Sequence, residues 1–271
     1  MADERKDTWA AGKLYEPYVG RWSRLVAGDF LRWLAAPGGQ DWLDVGCGTG
    51  GLSETILRHG QPRSVRGVDT SASFVEHARA HVADPRATFE VGDAQSLPVA
   101  SAQFDAAVSG LVLNFVPKPE RAVQEMKRAA RPGGIVALYV WDYAGKMELM
   151  RYFWDAAAAL DPQAAELDEG RRFPICRPDA LAGLFGEAGL REVETKAIDV
   201  ATVFRDFDDY WTPFLGAQGP APGYAMSLDE EGRGALRDAI RAALPVSGDG
   251  SIPLVARAWA VRGRVPRSFR L

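Results

Sequence analysis

Residues 41–46, Asp-Trp-Leu-Asp-Val-Gly, form a short apolar run that passes at once into Gly46-Cys47-Gly48-Thr49-Gly50-Gly51. Glycine lacks a Cβ, so three glycines at alternate positions let a chain turn tightly out of a strand and let a ligand approach the backbone. Leu52, Ile56 and Leu57 then recur at helical spacing until Gly60 and Pro62 stop the helix. A strand that turns through glycines into a helix opens a strand–helix–strand unit. Such units form parallel sheets with right-handed crossovers.

The alternation continues along the chain. SVRGVD (64–69) reads as a second strand, and Ser71 caps a helix with Phe74, Val75, Ala78 and Val82 on one face. ATFEVGD (87–93) and FDAAVSGL (104–111) are strands. PERAVQEMKRAARPGG (119–134) is a helix ended by Pro132 and two glycines, and GGIVALYVW (133–141) is a strand apolar enough to be covered on both faces. After Trp141 the rhythm breaks. Residues 147–161 form an aromatic helix, 177–190 an amphipathic helix and 190–204 a strand. The aromatic, glycine- and proline-rich stretch 207–224 precedes a helix over 229–244, and residues 254–263 alternate as a strand that closes the sheet. The expectation is an α/β chain with a doubly wound, mostly parallel seven-stranded sheet, an antiparallel closing strand and helical lid insertions. Residues 1–271 are expected to form a single domain, with a helical cover over 1–40 and insertions at 142–176 and 205–250 too small and discontinuous to be domains.

Composition narrows the function. A formal net charge of −4 argues against a broad basic surface, so no nucleic-acid partner is expected. Cys47 and Cys176 form no disulfide framework and no paired zinc motif, and with 3 histidines no metal centre is expected. The charged start MADERKDTWA lacks the apolar core of a signal peptide, and no apolar run reaches the ~18 residues of a membrane span. A cytoplasmic chain is expected.

In open α/β sheets, ligands bind outside the carboxyl ends of the strands. Three such ends carry polar chemistry here. Gly46, Gly48 and Gly50 follow the first strand; Asp69 ends the second, followed by Thr70; Asp93 ends the third, followed by Ala94. A carboxylate at Asp69 can accept from both hydroxyls of a ribose, and one at Asp93 from an exocyclic amine. Each acid also admits a plainer reading, Asp69 as a helix N-terminal acid and Asp93 as a turn aspartate.

LDVGCGTGGLS (43–53), GVDTS (67–71), GDAQSLP (92–98), FDAAVSGLVLNFV (104–116) and RPGGIVALYVW (131–141) resemble the successive motifs of class I S-adenosylmethionine (SAM) dependent methyltransferases. The likeness is to the type 11 group, which includes ubiquinone/menaquinone-biosynthesis enzymes, and it covers about residues 41–141. It implies a Rossmann-like fold, SAM as cofactor with S-adenosylhomocysteine as product, and a small-molecule methyl acceptor. It further implies that Gly46, Gly48 and Gly50 line the methionine and ribose portions of SAM. Asp69 with Thr70 would bind the ribose, Asp93 the adenine amine and the Ala94 N–H a ring nitrogen. Ser109 and the loop to Leu111 would lie beside the sulfonium. Tyr15, Tyr18 and Trp22 would fold over the cofactor or pack as helix core.

A nicotinamide-dependent dehydrogenase would need G-x-G-x-x-G, whereas this chain has G-x-G-x-G with Asp44 two residues ahead. The alternatives that keep the motifs are a SAM-binding protein without methyl transfer and a protein or RNA methyltransferase. The acidic balance and Ser109-Gly110-Leu111-Val112 after the fourth strand count against the latter. No general base is assigned, because His59, His77 and His81 fall on helices directed away from the expected methyl group. Asp142 and Tyr143, at the end of the fifth strand, with Arg172 and Trp211 in the covering segments, are the expected acceptor contacts. Arg171, Phe173, Tyr210 and Phe214 accompany them, either lining an apolar pocket or forming the core of the lid.

Overall fold

The apolar runs become strands in the computed structural model, which describes residues 20–216 and 219–267. In chain order the elements are α1 (Arg21–Leu34), β1 (Asp41–Val45), α2 (Gly51–His59), β2 (Ser64–Asp69), α3 (Ala72–His81), β3 (Ala87–Val91), β4 (Phe104–Gly110), α4 (Pro119–Ala129) and β5 (Ala130–Trp141). There follow α5 (Glu148–Leu160), α6 (Glu169–Arg172), α7 (Pro178–Glu187), β6 (Arg191–Phe204), α8 (Phe207–Trp211), α9 (Pro220–Ser227), α10 (Glu230–Ala243) and β7 (Ile252–Arg264). The seven strands form one sheet in the order β3-β2-β1-β4-β5-β7-β6. The pairs β1–β2, β2–β3, β1–β4 and β4–β5 are parallel, and β7 runs antiparallel to β5. The strand order reverses at β1, which places the glycine turn at the switch point where such sheets bind ligands. No helix among the described residues is long and apolar enough to cross a membrane.

The last strand closes the sheet antiparallel to β5, as expected, with β6 beyond it at the edge. One expectation is adjusted. The helix read over 119–134 stops at Ala129, and the Ala130-Arg131-Pro132-Gly133-Gly134 segment is already strand. There the register between β4 and β5 shifts between Phe104 and Ala106, and Gly133 takes a φ of +80°. A positive-φ glycine at an irregular pairing is how a strand admits an extra residue and bends.

The chain divides into two compact units. The larger comprises Ser23–Trp141, Ile175–Ile198 and Ala258–Leu271. Its core lies along β1, β4 and β5, where Trp42, Leu43, Val108, Ala137 and Leu138 are at most 1% exposed. Helices flank the strands, and Met126 of α4 and Ile56 of α2 are fully sunk into this core. At the amino end of the sheet Arg131 donates to Asp105 (2.6 Å) and Asp41 (3.2 Å), tying the start of β5 to β4 and β1.

The smaller unit comprises Met1–Trp22, Asp142–Pro174 and Asp199–Arg257. It has an aromatic core of its own. Phe153 stacks on Phe214 with ring centroids 4.6 Å apart and meets Trp154 edge-on at 5.1 Å, and Tyr210 lies 5.4 Å from Phe214. The Tyr210 hydroxyl donates to the Leu149 carbonyl (2.7 Å). Trp154 Nε1 donates to the buried Glu169 carboxyl, whose pKa burial pushes up to about 7. Segments too short to bury a core singly do so jointly, because each supplies large rings. The aromatic, glycine- and proline-rich stretch contributes α8 and the start of α9. Asp206 caps α8 by accepting from the Asp209 N–H, and Pro220 opens α9, where a missing N–H costs nothing.

Phe153 is fully buried between Trp154 and Phe214. Phe153→Ala is expected to lower stability by about 3–5 kcal/mol in urea titrations, the usual cost of deleting a buried ring. A loss below about 1 kcal/mol would show that this stack does not hold the smaller unit together.

Candidate functional site

The glycine turn is built from left-handed backbone. Gly46, Gly48 and Gly50 have φ of +73°, +52° and +96°. A Cβ on Gly46 would lie 2.5 Å from Val112 Cγ1, and one on Gly50 2.8 Å from Val82 Cγ2. The middle glycine differs, since a Cβ on Gly48 would meet nothing within 4 Å. The outer two glycines are needed for packing. The middle one leaves backbone open to a ligand. The Gly46 and Cys47 N–H groups both donate to the Val68 carbonyl, at 2.7 and 3.1 Å, locking the turn to β2. Cys47 is sunk among Val75, Ala78 and Phe89, and burial pushes its thiol far above the usual range.

Asp69 connects this turn to the next helix. Its Oδ2 accepts from the Gly48 N–H (2.9 Å) and its Oδ1 from the Ser71 N–H (2.8 Å), while Ser71 Oγ caps α3 by accepting from Phe74 (3.3 Å). A carboxylate has about four lone-pair sites, so accepting two backbone bonds leaves capacity for a ligand. The helix-cap reading and the ligand reading therefore coexist in one side chain. Thr70 beside it is exposed. Asp93 is exposed at the end of β3 and accepts from the Gln95 N–H (2.8 Å) and from the Gln95 side-chain amide (3.1 Å to either oxygen). Ala94 follows, half-buried.

At the end of β4, Ser109 is buried and pairs with Leu138. Leu111 holds a φ of +62°, an unusual conformation for a bulky residue, and its N–H donates to the Tyr139 carbonyl (2.8 Å). Holding it there costs on the order of 1–3 kcal/mol. The structure thus sets the ends of β1, β2, β3 and β4 along one edge, and all nine residues read as cofactor contacts stand at those ends.

Two residues at this edge carry no site role in the sequence reading. Asp44, in β1, is completely buried; Ser53 Oγ donates to its Oδ2 (2.7 Å), and its Oδ1 has no partner. Burial is the largest influence on its carboxyl and raises the pKa to about 7, with the nearby Asp69 charge adding to it. Asn114, two residues after the Val112 that covers Gly46, has both side-chain amide atoms buried without a partner. An acid two residues before the first glycine was the available signal for Asp44. Nothing local marks Asn114.

A methyltransferase-domain family model matches residues 43–138. The chain is 32% identical over 166 residues to a malonyl-[acyl-carrier protein] O-methyltransferase of Enterobacter lignolyticus, an overlap of 60% of this chain and 61% of that one. It is 32% identical over 173 residues to a demethylmenaquinone methyltransferase of Desulfitobacterium hafniense, covering 57% and 67% respectively. The chain belongs to the class I SAM-dependent methyltransferases, type 11 group. The matches span 61% and 67% of these two relatives' own lengths. A Haemonchus contortus phosphoethanolamine N-methyltransferase 2, solved with phosphomonomethylethanolamine and S-adenosylhomocysteine, shares the fold at a TM-score of 0.59 and 16% identity, over 94% of this chain and 57% of that one.

The residues read as acceptor contacts in this methyltransferase all fall in the smaller unit. Tyr143 and Arg172 are brought together through Phe173, whose ring lies 5.7 Å from Tyr143 and 5.2 Å from the Arg172 guanidinium carbon. Asp142 is buried, and its Oδ2 accepts from the Lys146 N–H (2.9 Å) within its own turn. Trp211 is buried in the aromatic core, stacked on Phe207 at 6.4 Å and 6.0 Å from Phe214. Arg171 is a surface residue paired with Glu166 at 3.8 Å. Trp22 meets Phe204 edge-on at 5.6 Å, while Tyr15 and Tyr18 lie outside the described residues.

The folded chain binds a proton at Asp44 more tightly than an unfolded chain with the ordinary value of 3.8. Ionising it therefore costs stability: the cost is absent below pH ~4, grows as the pH rises to ~7, and is constant above. Asp44→Asn is expected to gain on the wild type across that interval in urea titrations at successive pH values. A difference between the two proteins that does not change from pH 4 to 7 would overturn the assignment.

Proposed function

We propose that this chain transfers the methyl group of SAM to a small-molecule acceptor. The observation that carries the reading is the open backbone at Gly48, hydrogen-bonded to an Asp69 carboxylate that keeps lone pairs to spare. The residues present fit the cofactor. The turn leaves room where a Cβ would stand, and the orphaned Asp44 Oδ1 is a buried acceptor at the same strand end, suited to a cationic ligand. Gly46, Gly48 and Gly50 would hold the methionine and ribose portions, Asp69 with Thr70 the ribose hydroxyls, Asp93 the adenine amine and Ala94 a ring nitrogen. Ser109 and Leu111 would border the sulfonium. SAM supplies, when bound, a methyl carbon on a sulfonium that departs as a neutral thioether.

The chain's own contribution is chiefly positional. Holding nucleophile, carbon and sulfur in line can be worth roughly 7–11 kcal/mol. Rigidity at the edge serves this end: the turn is pinned to β2 by two hydrogen bonds and Leu111 is held in a strained conformation. Cys47 illustrates what must be suppressed. A thiolate in the cofactor turn would be a competing nucleophile, and burial keeps this sulfur protonated. On the acceptor side Asp142, Tyr143, Arg172 and Trp211 are the proposed contacts, Tyr143 and Arg172 being joined through Phe173. The relatives named for malonyl-[acyl-carrier protein] and demethylmenaquinone methylation support an acceptor other than nucleic acid.

Calorimetric titration with SAM and S-adenosylhomocysteine tests the reading. Saturable binding by the wild type is expected, weakened by about 1–3 kcal/mol in Asp69→Ala and in Asp93→Ala, the usual cost of losing hydrogen bonds to a charged group. Binding of NAD or NADP in place of SAM would overturn it.

A further inference from the structure

Arg21 sits at the start of α1 with its guanidinium packed beside two rings that meet each other edge-on, their centroids 5.6 Å apart. The guanidinium carbon lies 4.4 Å from the Trp22 ring centroid and 4.7 Å from that of Phe204. Its N–H donors lie along two edges of the guanidinium plane. One edge is used: Nη1 donates to Asp209 Oδ1 at 3.2 Å and Oδ2 at 3.5 Å. The other edge, Nε with Nη2, is buried and has no partner among the described residues.

That edge is the side-on fork that grips carboxylates elsewhere in this chain. Arg257 Nε and Nη2 donate to Asp199 at 2.6 and 2.8 Å, and Arg86 Nε and Nη2 donate to Asp84 at 3.0 and 2.7 Å. In Arg21 the same two donors are withdrawn from water and face no acceptor. Two further donors without a partner among the described residues belong to neighbours of Phe204. Trp22 Nε1 is buried without a partner, and Trp22 packs edge-on against Phe204. Thr202 is fully buried with Oγ1 unpartnered, and it stands two residues before Phe204 on β6, on the same face of the strand. A buried donor without an acceptor costs about 1–3 kcal/mol, so several around one ring are expensive unless a ligand completes them.

We propose that Arg21, Trp22 and Thr202 form a binding site for the carboxylate of a small molecule. The planar two-oxygen group matches the Arg21 fork, and the indole N–H and the hydroxyl serve its remaining lone pairs. Asp209 holds the guanidinium from the opposite edge and is itself held by the Arg205 N–H (3.0 Å). That this carboxylate belongs to the methyl acceptor rests on the methyl-transfer reading; the site itself does not.

Benzoate and its uncharged isostere benzamide are the probes, titrated into the full chain without SAM by calorimetry. The wild type is expected to bind benzoate at least about tenfold more tightly than benzamide. Arg21→Lys keeps the charge and loses the fork, and is expected to lose about tenfold for benzoate. Trp22→Phe and Thr202→Val should each lose about threefold or more while their ligand-free melting temperatures stay level or rise, because the deleted donors make no bond within the chain. Equal binding of the two probes, no saturable benzoate binding, or an unchanged affinity in Arg21→Lys would overturn the site. SAM titration of the wild type is independent, so failure of the methyl-transfer reading is seen there and failure of the carboxylate site in the benzoate series.

Discussion

Asp69 accepts one hydrogen bond from the glycine turn and one from the start of α3, and the arrangement of the cofactor edge depends on that bridge. The Gly48 N–H belongs to a turn in left-handed backbone, and the Ser71 N–H to a helix start whose N–H groups would otherwise lack acceptors. One carboxylate therefore sets the distance between the loop after β1 and the loop after β2. A ligand that then bonds the same carboxylate meets a group already oriented, with little ordering left to do. Preorganisation of this kind is what distinguishes a binding edge from an ordinary turn.

Beneath that bridge lies a second constraint of opposite sign. Asp44 is fully buried, half-satisfied by Ser53, and close enough to Asp69 for the two charges to disfavour each other. A hydrophobic residue at this position would fold more readily. A buried acid two residues before the glycine turn makes structural sense as an acceptor kept for a cation, with the folding cost borne by the rest of β1, where Trp42, Leu43 and Val45 are buried. Stability and ligand complementarity are in tension at this strand end, as they are at Leu111.

How much of this was legible depended on whether the signal was local. The strands β1 to β5, the helices between them and the acids at the strand ends all announce themselves through periodicity and punctuation within a dozen residues. Asp69 was readable because a strand end followed by Ser71 is a local pattern. The start of β5 was not, because the irregular pairing at Phe104 that draws Ala130–Gly134 into the sheet arises between strands. The insertion of β7 between β5 and β6 has the same origin: alternation marks a strand without naming its neighbours. The stretch 207–224 reads only as aromatic and rich in glycine and proline; that Pro220 opens a helix there depends on its position, where the missing N–H is tolerated. Asn114 and the orphaned oxygen of Asp44 are visible only once burial is known.

The smaller unit carries the sharper lesson about aromatic residues. Phe153, Tyr210, Phe214 and Trp211 are the buried core of the smaller unit, so ring content alone says nothing about an acceptor pocket. What separates a site from a core is unsatisfied polarity. A ring packed on rings is complete, whereas an arginine edge, an indole N–H and a hydroxyl buried around Phe204 are not. The fork of Arg21 is the clearest case, because Arg86 and Arg257 show within the same chain what such a fork takes when its partner is present. Carboxylates fill the forks of Arg86 and Arg257 and backbone carbonyls those of Arg79 and Arg233, whereas the fork of Arg21 meets no acceptor among the described residues.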